Sequence, residues 1–192
     1  CVGLIVSGGH SHLYQCDTAT QFRYLGGTID DAAGEAFDKV ASMLGLPFPG
    51  GPAVSKAAAH GNRAAYTFPR SFLKDEDRLD FSFSGLKTAV RYAIAGPGKL
   101  DFSSLNLDDQ TIADVAASFE EAVVDCLVAK TLLAARRTKL QTVCVGGGVA
   151  ANRRLRDRLQ QECTAAGLEL IVAPLQLCTD NAVMGAIAIE QW

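Results

Sequence analysis

Long apolar runs are missing. No stretch of the 192 residues reaches the ~18 consecutive apolar positions of a membrane-spanning helix, so no membrane partner is expected. An excess of basic charge is missing too. Lys and Arg number 18 against 21 Asp and Glu, for a net charge of −3. Any contact with nucleic acid therefore has to use a local patch or a partner subunit. The absence of H-E-x-x-H excludes a conventional zinc protease, and the absence of G-x-S-x-G excludes a hydrolase nucleophile elbow. Neither G-x-G-x-x-G nor Walker A occurs. Gly85-Leu86-Lys87-Thr88 superficially resembles the latter, but its Gly is not followed directly by Lys. None of the six cysteines (Cys1, Cys16, Cys126, Cys144, Cys163, Cys178) forms a C-x-x-C. They read as reduced thiols of a reducing, cytoplasmic compartment. Signal and transit patterns are absent, as is an initiator Met. Because the chain opens at Cys1 in mid-strand, more sequence is expected upstream.

What is present is a globular composition, 48% apolar and 20% charged, which excludes global disorder. Val2 to Val6, Ser11 to Cys16 and Phe22 to Leu25 read as three short strands separated by turn residues, a β-meander. Ala32, Ala33, Ala36, Phe37, Val40, Met43 and Leu44 then recur at helical spacing. The run Pro47-Phe48-Pro49-Gly50-Gly51-Pro52 breaks that helix, and a shorter one is expected from Ala53 to about His60. Asn62 to Asp80 reads as a surface loop, Phe81 to Ser84 as a short strand, Gly85 to Ala95 as a helix ending at Gly96-Pro97-Gly98. The longest helical signal runs from Asp108 to about Arg137, with Ile112, Val115, Ala116, Phe119, Val123, Cys126, Leu127, Leu132 and Leu133 as its buried stripe. Thr142 to Val145 is a strand, about Ala150 to Ala165 a helix, Leu168 to Val172 a strand, and a last helix starts near Asp180. A meander followed by strand–helix alternation indicates an α/β fold with a mixed sheet and flanking helices.

Four motifs carry candidate chemistry, each with a plainer alternative. Ile5-Val6-Ser7-Gly8-Gly9-His10 delivers a glycine pair to the end of a strand. It suits an anion held by backbone N–H groups, or is an ordinary hairpin turn. Gly146-Gly147-Gly148-Val149-Ala150-Ala151-Asn152 joins a buried strand to a helix start, which suits a nucleotide or serves close packing. In Asp30-Asp31-Ala32-Ala33-Gly34-Glu35-Ala36-Phe37-Asp38, Asp30 or Asp31 is expected to cap the helix. Glu35 and Asp38 share a face, for ribose or metal, or as a solvated acidic surface. Thr179-Asp180-Asn181 caps the final helix or supplies a metal ligand. His10 and His12 lack a third ligand in sequence, and His60 is expected at a helix end. Arg153, Arg154, Arg156 and Arg158 form the densest basic cluster, a nucleic-acid patch or a solvated face.

These motifs, together with Pro49-Gly50-Gly51-Pro52 and Asp80-Phe81-Ser82-Phe83-Ser84-Gly85-Leu86-Lys87-Thr88, stand in the order seen in one family. The chain resembles the tRNA threonylcarbamoyltransferases, called TsaD in bacteria and formerly O-sialoglycoprotein endopeptidases. The likeness runs over essentially its whole length. The resemblance implies an actin-like, two-lobed ATPase fold, of which residues 1–192 would be the C-terminal lobe, with a helical insertion around 31–138 and the N-terminal lobe absent. It implies transfer of threonylcarbamoyl from threonylcarbamoyl-adenylate to N6 of the adenosine next to the anticodon of tRNAs reading ANN codons. It further implies ATP or the adenylate as ligand, bound by Ile5, Val6, Ser7, Gly8, Gly9, Asp38, Gly51 and Asn152, with Glu35 near the phosphates. Asp180 would ligate a divalent metal, iron in the family, with zinc or magnesium as alternatives. The family's H-x-x-x-H metal ligands do not occur in this sequence. At Ser55 some relatives carry an Asp that contacts substrate. Expected partners are tRNA, a smaller actin-like paralogue and a separate ATPase. Two other classes remain open, a nucleotide-binding regulatory module and, against the missing ligand set, a metalloprotease. The fragment alone is expected to be inactive.

Overall fold

The computed structural model describes residues 1–96 and 105–178. Its core is a five-stranded mixed sheet ordered β3-β2-β1-β4-β5. Strands β1 (Val2–Val6), β2 (Ser11–Cys16) and β3 (Phe22–Gly27) form the antiparallel meander. Strand β4 (Thr142–Gly146) pairs parallel with β1, Leu4 opposite Val145, and β5 (Glu169–Val172) pairs parallel with β4. The two-residue pleat sorts β1 cleanly. Val2, Leu4 and Val6 are fully buried, whereas Ile5, on the other face, is 42% exposed.

Among the described residues four helices lie in sequence between β3 and β4: α1 (Ala33–Met43), α2 (Gly50–Ala58), α3 (Ser84–Ala95) and α4 (Asp109–Thr138). A fifth, α5 (Arg153–Ala165), connects β4 to β5. Helices α1 and α4 bury apolar faces in one cluster with the sheet, where Phe37 meets Phe119 edge to face at 5.1 Å between ring centroids. Asp108 caps α4 as its side chain accepts from the Thr111 N–H at 2.6 Å. The stripe expected on α4 is too narrow. The helix is buried nearly all round from Val115 to Val124 because α2, α3, α5 and the sheet surround it.

Several local expectations are corrected. Helix α2 begins at Gly50, not Ala53. Pro52 sits in its first turn, where a missing N–H costs nothing. Phe81 to Ser84 forms only a single bridge, Phe81 to Thr28, because the segment turns at once into α3 with both phenylalanines buried. Neither Asp30 nor Asp31 caps α1, whose N-cap is Ala32. Asp30 instead caps α3, its Oδ1 accepting from the N–H groups of Phe83 (2.8 Å) and Ser84 (3.3 Å). Asp31 bridges Lys39 (2.9 Å) and Lys87 (2.6 Å). The loop before α3 is latched rather than loose. Lys130, almost fully buried on α4, donates to the carbonyls of Asp75 (2.5 Å) and Arg78 (2.7 Å). All six cysteines are free thiols, and burial pushes Cys126 up to about 12. Among the described residues no helix is long and apolar enough to cross a membrane.

Candidate nucleotide site

Strands β1 and β4 are adjacent and parallel, so their following loops emerge together at one edge of the sheet, where α/β folds collect ligands. The first loop is tight. Ser7 N–H donates to the His10 carbonyl at 2.7 Å, and Ser7 Oγ accepts from His10 N–H at 3.1 Å. The N–H groups of Gly8 and Gly9 meet no acceptor among the described residues. The start of α1 closes on this loop, Gly34 N–H donating to the Ser7 carbonyl at 3.1 Å. A Cβ at Gly34 would lie 2.6 Å from that carbonyl, so only glycine admits the approach. The helix thereby brings its positive end to the exposed glycines.

The second loop depends on Gly147. Its φ of +95° is unfavourable for any other residue, and a Cβ there would run into the Val6 carbonyl. The chain then makes one 3-10 turn, Gly148–Ala151, rather than entering the helix directly. Asn152 caps α5, its Oδ1 accepting from Leu155 N–H at 2.8 Å. Arg156 ties this turn to the end of β5, its guanidinium donating to the carbonyls of Ala150 (2.5 Å) and Ala173 (3.3 Å).

A third wall joins α1 to α2. Asp38 Oδ1 accepts from Gly50 N–H at 2.7 Å, and a Cβ on Gly50 would lie 2.5 Å from Asp38 Cα. Asp38 is thus half committed, its second oxygen making no hydrogen bond among the described residues. Space beside Gly51 is open. Glu35 is turned to other work: it pairs with Lys39 at 2.7 Å and accepts weakly from Ala32 N–H. Val6 is fully buried, so that only its backbone reaches the loop, and the Ile5 side chain lies on the exposed sheet face.

The structure also joins residues that the sequence reading left apart. Glu120 of α4, 3% exposed, accepts at Oε1 from Ser55 Oγ (2.8 Å) and Asn152 Nδ2 (2.8 Å). Asn152 Nδ2 also reaches Ser55 Oγ at 2.9 Å. Ser55 and Glu120 line an open pocket of about 320 Å³ with Arg63, Arg153, Arg154 and Asp157. Spacing held one clue to Glu120: it stands four residues after Ala116 and three before Val123, both on the inward stripe.

The arginine cluster is largely neutralised. Arg154 makes a bidentate pair with Glu121 (both 2.7 Å), which Arg158 joins at 2.9 Å. These bonds, Arg154's above all, hold the Glu121 carboxyl below its ordinary range. Arg153 alone of the four is fully exposed, with Asp157 at 3.7 Å. His10 and His12 approach at 5.2 Å between ring centroids. Among the described residues no three His, Cys, Asp or Glu side chains cluster to hold a metal. Asp180 and the expected final helix lie outside the described residues.

The strand order, the crossover helices and the paired loops at one sheet edge define an actin-like ATPase fold. Solved structures agree on fold: full-length HypF, crystallised in a phosphate- and nucleotide-bound form, aligns over 98% of this chain and 33% of its own, with TM-score 0.65 at 15% identity. HypF of T. kodakarensis aligns over 90% of this chain and 21% of its own, with TM-score 0.58 at 17% identity. The family model of TsaD, tRNA N6-adenosine threonylcarbamoyltransferase, matches residues 2–187, and the chain belongs to that family. A protein of that name from Rhodopirellula baltica is 61% identical over 100% of this chain and 56% of its own length. One from Desulfitobacterium hafniense is 50% identical over 97% of this chain and 53% of its own. The chain thus spans about half the length of the curated relatives it matches.

Proposed function

We propose that this chain supplies the nucleotide-holding half of a tRNA N6-adenosine threonylcarbamoyltransferase. The observation that carries the reading is the pair of glycine loops after the parallel strands β1 and β4, opening together at one sheet edge. Unbonded N–H groups at Gly8 and Gly9, with the positive end of α1 behind them, suit the phosphate of ATP or of threonylcarbamoyl-adenylate. The second oxygen of Asp38 is available to a ribose hydroxyl, and the open side of Gly51 leaves room for the nucleoside. Asn152 follows the second glycine loop and is held through Nδ2 by Ser55 and Glu120.

In the transfer, the N6 amine of the tRNA adenosine attacks the carbamoyl carbon. The bond from that carbon to the phosphate oxygen breaks, AMP departs with the electron pair, and the proton lost by the N6 amine passes to the departing phosphate or to water. The loops stabilise the departing phosphate, and positioning supplies the remainder. A divalent cation held in part by Asp180, iron or alternatively zinc or magnesium, belongs to the same reading. So do tRNA, a smaller actin-like paralogue and a separate ATPase as partners, and a cytoplasmic location. The experiment is threonylcarbamoylation of tRNA by the full-length protein from purified threonylcarbamoyl-adenylate with its partner proteins. Transfer is expected, with a loss of at least about 100-fold in Asn152→Ala if that residue helps hold the donor. Absence of transfer by the wild-type protein would overturn the reading.

A further inference from the structure

We propose that Glu120 is a positioning residue, which locks the Asn152 carboxamide and the Ser55 hydroxyl in one orientation where α2, α4 and the start of α5 meet. The proposal rests on the reading of the cleft as a nucleotide site. Glu120 is buried, and the neighbouring arginines do not pair with it: Arg154 and Arg158 go to Glu121. A buried carboxylate that makes no direct salt bridge is expensive even with Arg63, Arg153 and Arg154 lining the same pocket, and a Met of similar volume would join α4 to α2 at less cost. What the carboxylate provides is an acceptor. Its Oε1 takes one hydrogen from Ser55 Oγ at 2.8 Å and one from Asn152 Nδ2 at 2.8 Å.

The consequence falls on Asn152, whose amide has two orientations that exchange donor and acceptor. In the observed one, Oδ1 accepts from Leu155 N–H, while Nδ2 serves Glu120 Oε1 and Ser55 Oγ. Flipping the amide would set Oδ1 against the carboxylate and Nδ2 against the Leu155 N–H, a clash at both ends. Ser55 is fixed in the same way: its only hydrogen goes to Glu120, so toward a ligand its oxygen can only accept. Glu120 Oε1, Ser55 Oγ and Asn152 Nδ2 form a triangle of 2.8, 2.8 and 2.9 Å, which leaves Ser55 Oγ as an acceptor and Asn152 Nδ2 with a second N–H to donate, a fixed pairing suited to the polar edge of a nucleoside.

The test uses the full-length protein labelled with ¹⁵N-asparagine. The Asn152 side-chain amide should give one shifted, slowly exchanging pair in the wild type and in Glu120→Gln, which keeps an acceptor. In Glu120→Met the pair should move to rapid, solvent-like exchange. ATP-analogue affinity, measured by calorimetry, should stay within about threefold in Glu120→Gln and fall about tenfold in Glu120→Met. The double variant Glu120→Met/Asn152→Ala should bind no more weakly than Asn152→Ala alone, since Glu120 acts through Asn152. Additive losses, an unchanged Asn152 pair in Glu120→Met, or equal losses in the Gln and Met variants would overturn the proposal. If Glu120→Met does not fold, Ser55→Ala takes its place, and a flipped or freely exchanging Asn152 amide is not expected while Glu120 remains. If the wild type binds no nucleotide, the nucleotide reading fails, and the Asn152 amide spectra alone decide the role of Glu120.

Discussion

Gly147 shows how one residue sets the site. Its positive φ and the Val6 carbonyl behind it leave no room for a side chain. Gly147→Ala should cost about 1–3 kcal/mol from backbone strain alone, and more from the overlap. A denaturant titration of the two proteins measures that loss, and an unchanged midpoint would show that the loop does not take this path. The glycines were legible in sequence because few other residues serve such turns. The aspartates before α1 were legible as capping residues, but not by target. Asp30 caps a helix 53 residues away, and no local pattern encodes that pairing. Glu120 is illegible in the sequence for a similar reason, since its partners Ser55 and Asn152 lie 65 and 32 residues distant.

At the scale of elements, strands and helices followed their periodicity, and most departures sit at ends where backbone geometry overrides pattern. The 3-10 turn at Gly148–Ala151 delays α5 until Asn152 can cap it. Helix α5 is tied to α4 by Glu121, with Arg154 and Arg158, and this junction has a definite pH dependence. The Arg154 bonds depress the folded carboxyl below the ordinary 4.5. The unfolded chain therefore binds the proton more readily, and the contribution is complete above about pH 4.5. It is lost as pH falls through the lower folded value. Glu121→Gln should be about 1.5–3 kcal/mol less stable at pH 7, with the difference shrinking below pH 4.5. Thermal melts from pH 7 to 3 check this, and a constant difference would show that the pair contributes nothing.

For the whole molecule, the sheet unites loops that are about 140 residues apart in sequence, so neither is a site without the other. Each glycine motif is visible in the sequence, whereas their juxtaposition comes from the parallel pairing of β1 with β4. The arginine cluster could not be settled in the same way, since its neutralising carboxylates come from another helix. With a net charge of −3 and three of those four arginines occupied within the fold, any binding of nucleic acid by this chain alone is expected to be weak and to fall with added salt. The most direct measurement of the nucleotide site is an amide NMR titration of the full-length protein with a non-hydrolysable ATP analogue. The largest shifts are expected at Gly8, Gly9 and Gly148, and saturation should affect both loops together. Binding that leaves these three glycines unmoved would contradict the assignment of the cleft.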